Sequence, residues 1–467
     1  MRYRHLAAAS LLALPLVAFA QTAPAPAPAP AAPPAPADVP LIARTQATVP
    51  QPVLGPVDQA LRVTPATNAK GGKIHMLPAT LETTQWGWFD NAQPPVLTVK
   101  SGDSIALETM MHAHNQVVPG TTIEQIKKTR TDYPGRGPHS LTGPIFIDGA
   151  EPGDVLKVTL NKIVPRSYAT NFNVPGMFGE FPKEFPDGQV KYFYLDLVKM
   201  ETEFLPGVFI PVKPFPGTLG VARAEPGRYS SVPPGKYAGN LDINEFTEGA
   251  SIYIPVFVKG ALLWTGDSHA GQGNGEINLT AMESAFRELN VTVEVIKGQK
   301  LEWPRIETKT HWITIGYDRD LNIAYDLLQK ETVKYLVETK KAPDEAAATK
   351  LMVTNWDCRI SEVVNVVKGT YCMTAKTAGK PVAKLPTAET ATAFVTVGTD
   401  ADLNKAMDTA SMAMINLLVE KKGLTRLDSY GLVSAAGDCR VGPPAGATKT
   451  VVCQTPKSLW RTKTASK

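Results

Sequence analysis

The last third of the chain repeats itself. His311-Trp-Ile-Thr-Ile-Gly316, Asp320-Leu-Asn322, Leu336-Val-Glu338, Asp357-Cys-Arg359 and Cys372 recur, in the same order, as Ala393-Phe-Val-Thr-Val-Gly398, Asp402-Leu-Asn404, Leu418-Val-Glu420, Asp438-Cys-Arg440 and Cys453. Within each copy the apolar spacing runs from alternating, through two helical stretches, back to alternating. Each therefore reads as a β-α-α-β-β unit, over 308–380 and 390–467. Two like units in one chain can pair as an internal pseudo-dimer about a twofold axis, the alternative being a homo-oligomer.

Upstream, from Leu77 to about Glu302, short apolar alternations are cut by Gly and Pro, the pattern of strands and turns. Gly-Asp turns at Gly102-Asp103 and Gly153-Asp154 each separate two alternating segments and are expected to close hairpins. Tyr168 to Gly188, rich in Phe, Pro and Gly, is expected to be a loop. The fold class is thus β-rich α+β: an antiparallel β-sandwich-like main domain over 46–307, then the duplicated unit.

The first residues belong to neither. Arg2 and Arg4 precede the apolar run Leu6 to Phe19 and the small-x-small site Ala18-Phe19-Ala20, the pattern of a secretory signal peptide over 1–20 with cleavage before Gln21. The run is shorter than the ~20 residues of a membrane span, and no cysteine follows to take a lipid. An Ala/Pro-rich linker over 21–45 is expected to stay extended. The protein is then exported, periplasmic or secreted, with no membrane span after cleavage. A net charge of +4 over 467 residues, without a Lys/Arg block, excludes a nucleic-acid partner.

The densest chemistry lies in Leu263 to Glu276. A β-rich run delivers Asp267 and His269, two apart and so on one side of an extended strand. Four glycines follow or interleave, and Glu276 closes the loop. One reading is a glycine-rich hairpin whose Asp and His cap turns; the other is a metal or proton-transfer site. His112-Ala-His114 ends an apolar segment, where an i, i+2 pair on a strand would place both rings on one face.

Gly266-Asp-Ser-His-Ala-Gly-Gln-Gly-Asn-Gly-Glu276 resembles the Gly-Asp-x-His-Ala-x-Gln-Gly-x-Gly-Glu signature of the acetamidase/formamidase family. So do Pro138-His139-Ser-Leu-Thr-Gly143-Pro144, Gly149-Ala-Glu-Pro-Gly-Asp154, Pro216-Gly-Thr-Leu-Gly-Val-Ala222 and Gly239-Asn-Leu-Asp242, in the family's order. The resemblance runs from about Leu77 to Trp460. It implies hydrolysis of the C–N bond of short linear amides such as formamide and acetamide, giving ammonia and a carboxylate, or of small lactams. It also implies a divalent metal, zinc or alternatively calcium, on Asp267, His269 and His139 with His112 or His114 nearby. Glu276 is then the general base. Asn240, Asp242, Gly273 and Gly275 fall on the substrate side, the glycine-loop amides being offered to the oxyanion. Family members carry one tail unit, and this chain departs from them in having two.

Competing chemistries fit less well. The four cysteines all lie in the repeated tail, which leaves no cysteine nucleophile beside the motif. Gly102-Asp-Ser and Gly266-Asp-Ser lack the downstream Asp-x-x-His of a serine esterase. A non-catalytic exported binding protein on the same fold is the rival from another class, separated by metal content. His311 opens the tail strand and His75 has no role. In an oxidising compartment four cysteines favour disulfides. The duplication selects Cys358–Cys372 and Cys439–Cys453, each 14 residues apart, over a cross-copy staple or reduced thiols.

Overall fold

Buried and less buried side chains interleave along Val155–Pro165 and Phe286–Ile296, and these two strands form the longest antiparallel pair of a twelve-stranded sheet. The computed structural model describes residues 67–377, 382 and 384–461; the expected signal peptide and Ala/Pro linker lie outside the described residues. The sheet begins at Ile74–Leu77 and Ser104–Leu107, passes through the long pair, then Ser251–Pro255 and Arg305–Glu307, and continues into the tail. A second, nine-stranded sheet centres on Leu263–His269, flanked by Phe215–Val221 and Ser140–Asp148. Among the described strands, pairing is antiparallel except for Ile74–Leu77 with Ser104–Leu107 and Leu97–Lys100 with Ser140–Asp148.

Both sheets feed one apolar cluster. Leu107, Val158, Phe286 and Ile306 come from the first, and Ile145, Leu219 and the fully buried Trp264 from the second. The Gly-Asp turns explain how one chain builds both. Leu97–Lys100 and Ser104–Leu107 do not pair as the expected hairpin; the turn between them carries the chain from the nine-stranded sheet to the twelve-stranded one. The turn at Asp154 does the same between Ser140–Asp148 and Val155–Pro165. Each aspartate ties its turn together: Asp103 accepts from the amides of Lys73 and Lys100, Asp154 from that of Glu151 and from Lys297 Nζ. The expected loop at Tyr168 also proves structured at its start, since Tyr168–Phe172 is a wholly buried strand.

The tail extends the first sheet. His311–Asp318 pairs with Arg305–Glu307 on one side and Val367–Ala375 on the other, so the expected boundary after Glu307 falls between neighbouring strands. Strand, two helices and two strands follow in order twice: His311–Asp318, Leu321–Glu338, Glu345–Thr354, Cys358–Asn365, Val367–Ala375; then Ala393–Asp400, Leu403–Lys422, Arg426–Ala436, Asp438–Val441, Lys449–Pro456. Asp320 and Asp402 cap their long helices by accepting the amides of Asn322 and Asn404. The two caps also exchange bonds: Asn322 donates to Asp402 and Asn404 to Asp320, each at 2.8 Å. Each contact thus has its twofold mate, as in an isologous interface, but within one chain. Cys358 pairs with Cys372 and Cys439 with Cys453. No described helix is long and apolar enough to cross a membrane.

Candidate active site

Strand Leu263–His269 is buried on both faces, which places Asp267 and His269 inside the molecule. Three further groups meet them. His112 Nε2 lies 2.9 Å from Asp267 Oδ1 and 3.3 Å from Glu283 Oε2. His269 Nε2 lies 3.3 Å from Glu283 Oε2 and 3.5 Å from Asp267 Oδ1. His139 Nε2 lies 3.5 Å from Asp267 Oδ2, while its Nδ1 bonds Ser231 Oγ at 2.9 Å. Asp242 Oδ1 lies 3.8 Å from His269 Nδ1, and one ligand atom each of Asp242, Glu276 and His269 fall within 4.8 Å of one another. All of these side chains are buried.

Glu283 was absent from the sequence-derived set. It sits between Ala281-Met282 and Ser284-Ala285-Phe286, so a carboxylate embedded in an apolar run was the available signal. His114 moves the other way. Residues His112–Asn115 form a short helical turn with Ala113 and His114 at φ of 51° and 52°, and the expected strand geometry does not arise. Its ring turns to Thr84 Oγ1 (3.3 Å) and, tilted, to the Trp86 ring, leaving His112 as the ligand candidate. Gly273 and Gly275 are also reassigned. Gly273 N donates to Ser434 O, Asn274 N to Gly437 O and Gly275 N to Ser361 O, so the loop amides are spent on the tail and are not available to an oxyanion. A Cβ on Gly273 would meet Val433 O at 2.6 Å, which explains the glycine. Asn240 lines the cavity, held by Thr218 Oγ1 and the Val232 carbonyl.

The cluster fits a divalent cation. His269 Nε2 and Glu283 Oε2 stand 3.3 Å apart without hydrogen-bond alignment, and His112 Nδ1, His269 Nδ1 and Asp242 Oδ1 are likewise buried without a hydrogen-bond partner. His269 Nε2 and Glu283 Oε2, side by side without a bond between them, mark a point that an ion held by both and by Asp267 would fill. Imidazole nitrogens and carboxylate oxygens suit zinc and its neighbours. Gly217 keeps the space open: a Cβ there would lie 2.5 Å from His269 Cε1, 2.6 Å from Asp242 Oδ1 and 2.8 Å from Asp267 Oδ2.

Charge follows the same logic. Burial alone would raise Asp267, but His139, His269 and His112 hold it well below the usual carboxylate range. Burial would likewise raise Glu283, yet His269 and His112 bring it down to about 2. Burial works against charge on His112 and His269, and Glu283 and Asp267 overcome it, raising both imidazoles. Burial lowers His139 to about 4, keeping it neutral and able to ligate. Glu276 and Asp242 are pushed well up, by burial first and for Glu276 then by Asp242. Asp242, Asp267 and Glu276 all have positive φ (50°, 49° and 46°), a backbone strain that clusters at functional sites.

Beside the cluster opens a cavity of about 70 Å³, walled by Pro138, Phe178, Val232, Leu279 and Val366 with Arg130 and Arg136. Its size suits one small molecule.

The acetamidase/formamidase family model matches residues 82–228 and 224–442. The acetamidase of Mycolicibacterium smegmatis is 28% identical over 264 residues, 44% of this chain and 64% of that protein. The formamidase of Methylophilus methylotrophus is 26% identical over 259 residues, covering 44% and 62%. The matched stretch therefore spans less than two thirds of these curated relatives. Among solved structures, Bacillus halodurans acetamidase superposes with a TM-score of 0.58 at 25% identity, over 64% of this chain and 97% of its own. An acetamidase/formamidase from Thermoanaerobacter tengcongensis gives 0.57 at 28%, over 65% and 96%. A γ-lactamase from Delftia acidovorans, 18% identical with a TM-score of 0.56 over 81% of this chain, shares the fold alone. With the family model matching most of the chain, and its motif residues converging on one buried cluster, this protein belongs to the acetamidase/formamidase family.

Proposed function

We propose that the protein is an exported, metal-dependent amidohydrolase that cleaves the C–N bond of short linear amides, releasing ammonia and a carboxylate. The observation that carries this reading is the convergence of His112, His139, Asp267, His269 and Glu283 beside a small, largely apolar cavity that Glu276 also lines. Those five residues would hold the cation, zinc by donor type, with calcium the alternative. When bound, such an ion supplies Lewis acidity, making water easier to deprotonate near neutral pH and an amide carbonyl more electrophilic.

The chain's own groups account for the proton traffic. Glu276 accepts a proton from the attacking water, and burial raises its affinity for one. As the water oxygen bonds to the amide carbon, the C=O π pair moves onto oxygen. When that pair returns the C–N bond breaks, and the proton held by Glu276 goes to the departing nitrogen. Asp242 Oδ1 stands 3.8 Å from His269 Nδ1, and Asn365 fixes Asp242. The apolar walls exclude bulk water and fit an acyl group of one or two carbons.

Export is supported by the leader-like start and the paired cysteines, and mature-terminus sequencing tests it. The tail reads as a tandem duplication forming an internal pseudo-dimer, supported by its reciprocal caps. Ammonia release from formamide and acetamide, measured before and after chelation and after zinc addition, tests the central reading. Amide turnover by metal-free protein would remove it. A lactam ring opened in preference to either amide would select the second reading, for which the γ-lactamase likeness offers the fold alone.

A further inference from the structure

We infer that Arg130 is a catalytic residue that receives the negative charge developing on the substrate carbonyl oxygen. The inference rests on the amidase reading and supplies what the glycine loop cannot. Its helix, Ile123–Thr131, is fixed at its start by a capping box between Thr122 and Gln125 and inward by buried Ile126 and Thr129. That anchoring sends Arg130, from the last turn, into the cavity wall.

Its surroundings are unusual for an arginine. Nε is shut off from solvent without a hydrogen-bond partner. Lys127 and Lys128 on the same helix are exposed, whereas Arg130 is half-buried. Among the described residues no carboxylate approaches its guanidinium within the 4.0 Å of an ion pair, although Glu283 and Asp267 lie close enough to favour its charge. Burial lowers it to about 10, so it stays cationic at neutral pH. A guanidinium with its Nε shut off from water and no fixed anion is costly to keep, and its planar fork of donors suits a pair of oxygens. The metal-ligand cluster and Arg130 line the same small cavity.

Volume decides what can reach it. A cavity of about 70 Å³ has room for one short amide, so a donor facing the cavity faces the reacting carbon. Arg136, whose Nε is likewise without a partner, is placed differently: its guanidinium lies 4.9 Å from the centroid of the Trp86 ring and 5.9 Å from that of Tyr133, with Arg228 repelling it. Arg136 is held by these rings, and Arg130 is left to the substrate. As water adds to the amide carbon and the displaced π pair settles on oxygen, Arg130 is the cationic donor the chain itself offers to that oxygen. It holds the same oxygen as the pair returns and ammonia leaves.

The experiment compares the purified wild type with R130Q, R130K and R130A on acetamide, with metal content measured for each. R130Q should lower kcat by roughly 10²–10³-fold, the usual cost of an oxyanion donor, with KM moving by less than about threefold. R130K should fall between, keeping charge but losing the fork. Added guanidinium ion should restore activity to R130A, which a purely structural arginine would not allow. By calorimetry, methylphosphonate, a tetrahedral anion, should bind R130Q at least about tenfold more weakly than wild type. An R130Q kcat within about threefold of wild type, or a defect confined to KM, overturns the inference while leaving the amidase reading intact. A wild type inactive on every amide removes both. Should R130Q not fold, R130K and the guanidinium rescue of R130A decide the matter.

Discussion

Asn365 donates from Nδ2 to Asp242 Oδ2 across 2.6 Å, a bond that reaches from the first tail copy into the site. The corresponding stretch of the second copy, Val441-Gly-Pro-Pro-Ala-Gly446, has no such residue. One copy therefore serves the chemistry directly. Asn365→Ala should lower kcat/KM or metal affinity by roughly 10–100-fold, the usual effect of removing an orienting partner of a metal site. Steady-state kinetics and metal titration check this. Asn365→Asp should be at least as damaging, because it sets a second carboxyl against Asp242.

Glu276→Gln should reduce amide turnover by roughly 10²–10⁴-fold while the protein still folds and takes up metal. Kinetics paired with elemental analysis separate loss of the base from loss of the ion. Wild-type turnover in this variant would dismiss Glu276 from the proton transfer.

Gly217→Ala should lose bound metal. The added methyl would stand where His269, Asp242 and Asp267 converge, and three positioned groups cannot all retreat. Metal stoichiometry near zero in a protein with wild-type circular dichroism is the expected result.

The two disulfides should differ in what they support. Each closes a loop of 14 residues and should contribute about 3 kcal/mol on the chain-entropy account. Cys439 N also donates to Asn274 O in the glycine loop. Replacing Cys439 and Cys453 by serine should thus lower both melting temperature and activity. Replacing Cys358 and Cys372 should act mainly on melting temperature.

Glu362 gives the protein a pH dependence of its own. Burial raises its carboxyl to about 8, from an ordinary 4.5, although the amides of Asn365 and Val364 oppose the shift. Between those two values the unfolded chain has lost a proton that the fold retains, so stability falls as pH rises, by about 1.4 kcal/mol per unit at most. Glu362→Gln should flatten that decline, as read from melting temperature between pH 5 and 8.

Much of this was legible in the residues themselves. Alternation cut by Gly and Pro marks the strands, and the repeated blocks locate both tail copies and both cysteine pairs. Asp267, His269, His139 and Glu276 stand in motifs, and the structure brings them together. What escaped is long-range. Glu283 carries no motif, Arg130 looks like its exposed neighbours Lys127 and Lys128, and Asn365 lies in what reads as a tail strand. His114 misled because i, i+2 spacing means one face only in extended backbone, and its φ is positive. The Gly-Asp turns misled because a turn signal does not say whether the strands it joins share a sheet.

The docking of the glycine loop onto Ser434, Gly437 and Ser361 has a consequence for how the protein comes into being. A ribosome that has reached Phe286 has already made Arg130, Glu276 and every candidate metal ligand, yet the backbone that shapes their loop finds its partners only after Ser361, Ser434 and Gly437 of the two tail copies have been synthesised. Pairings so distant in sequence form late and slowly. The nascent chain therefore carries its chemistry unassembled until both tail copies have been made and have docked on the loop.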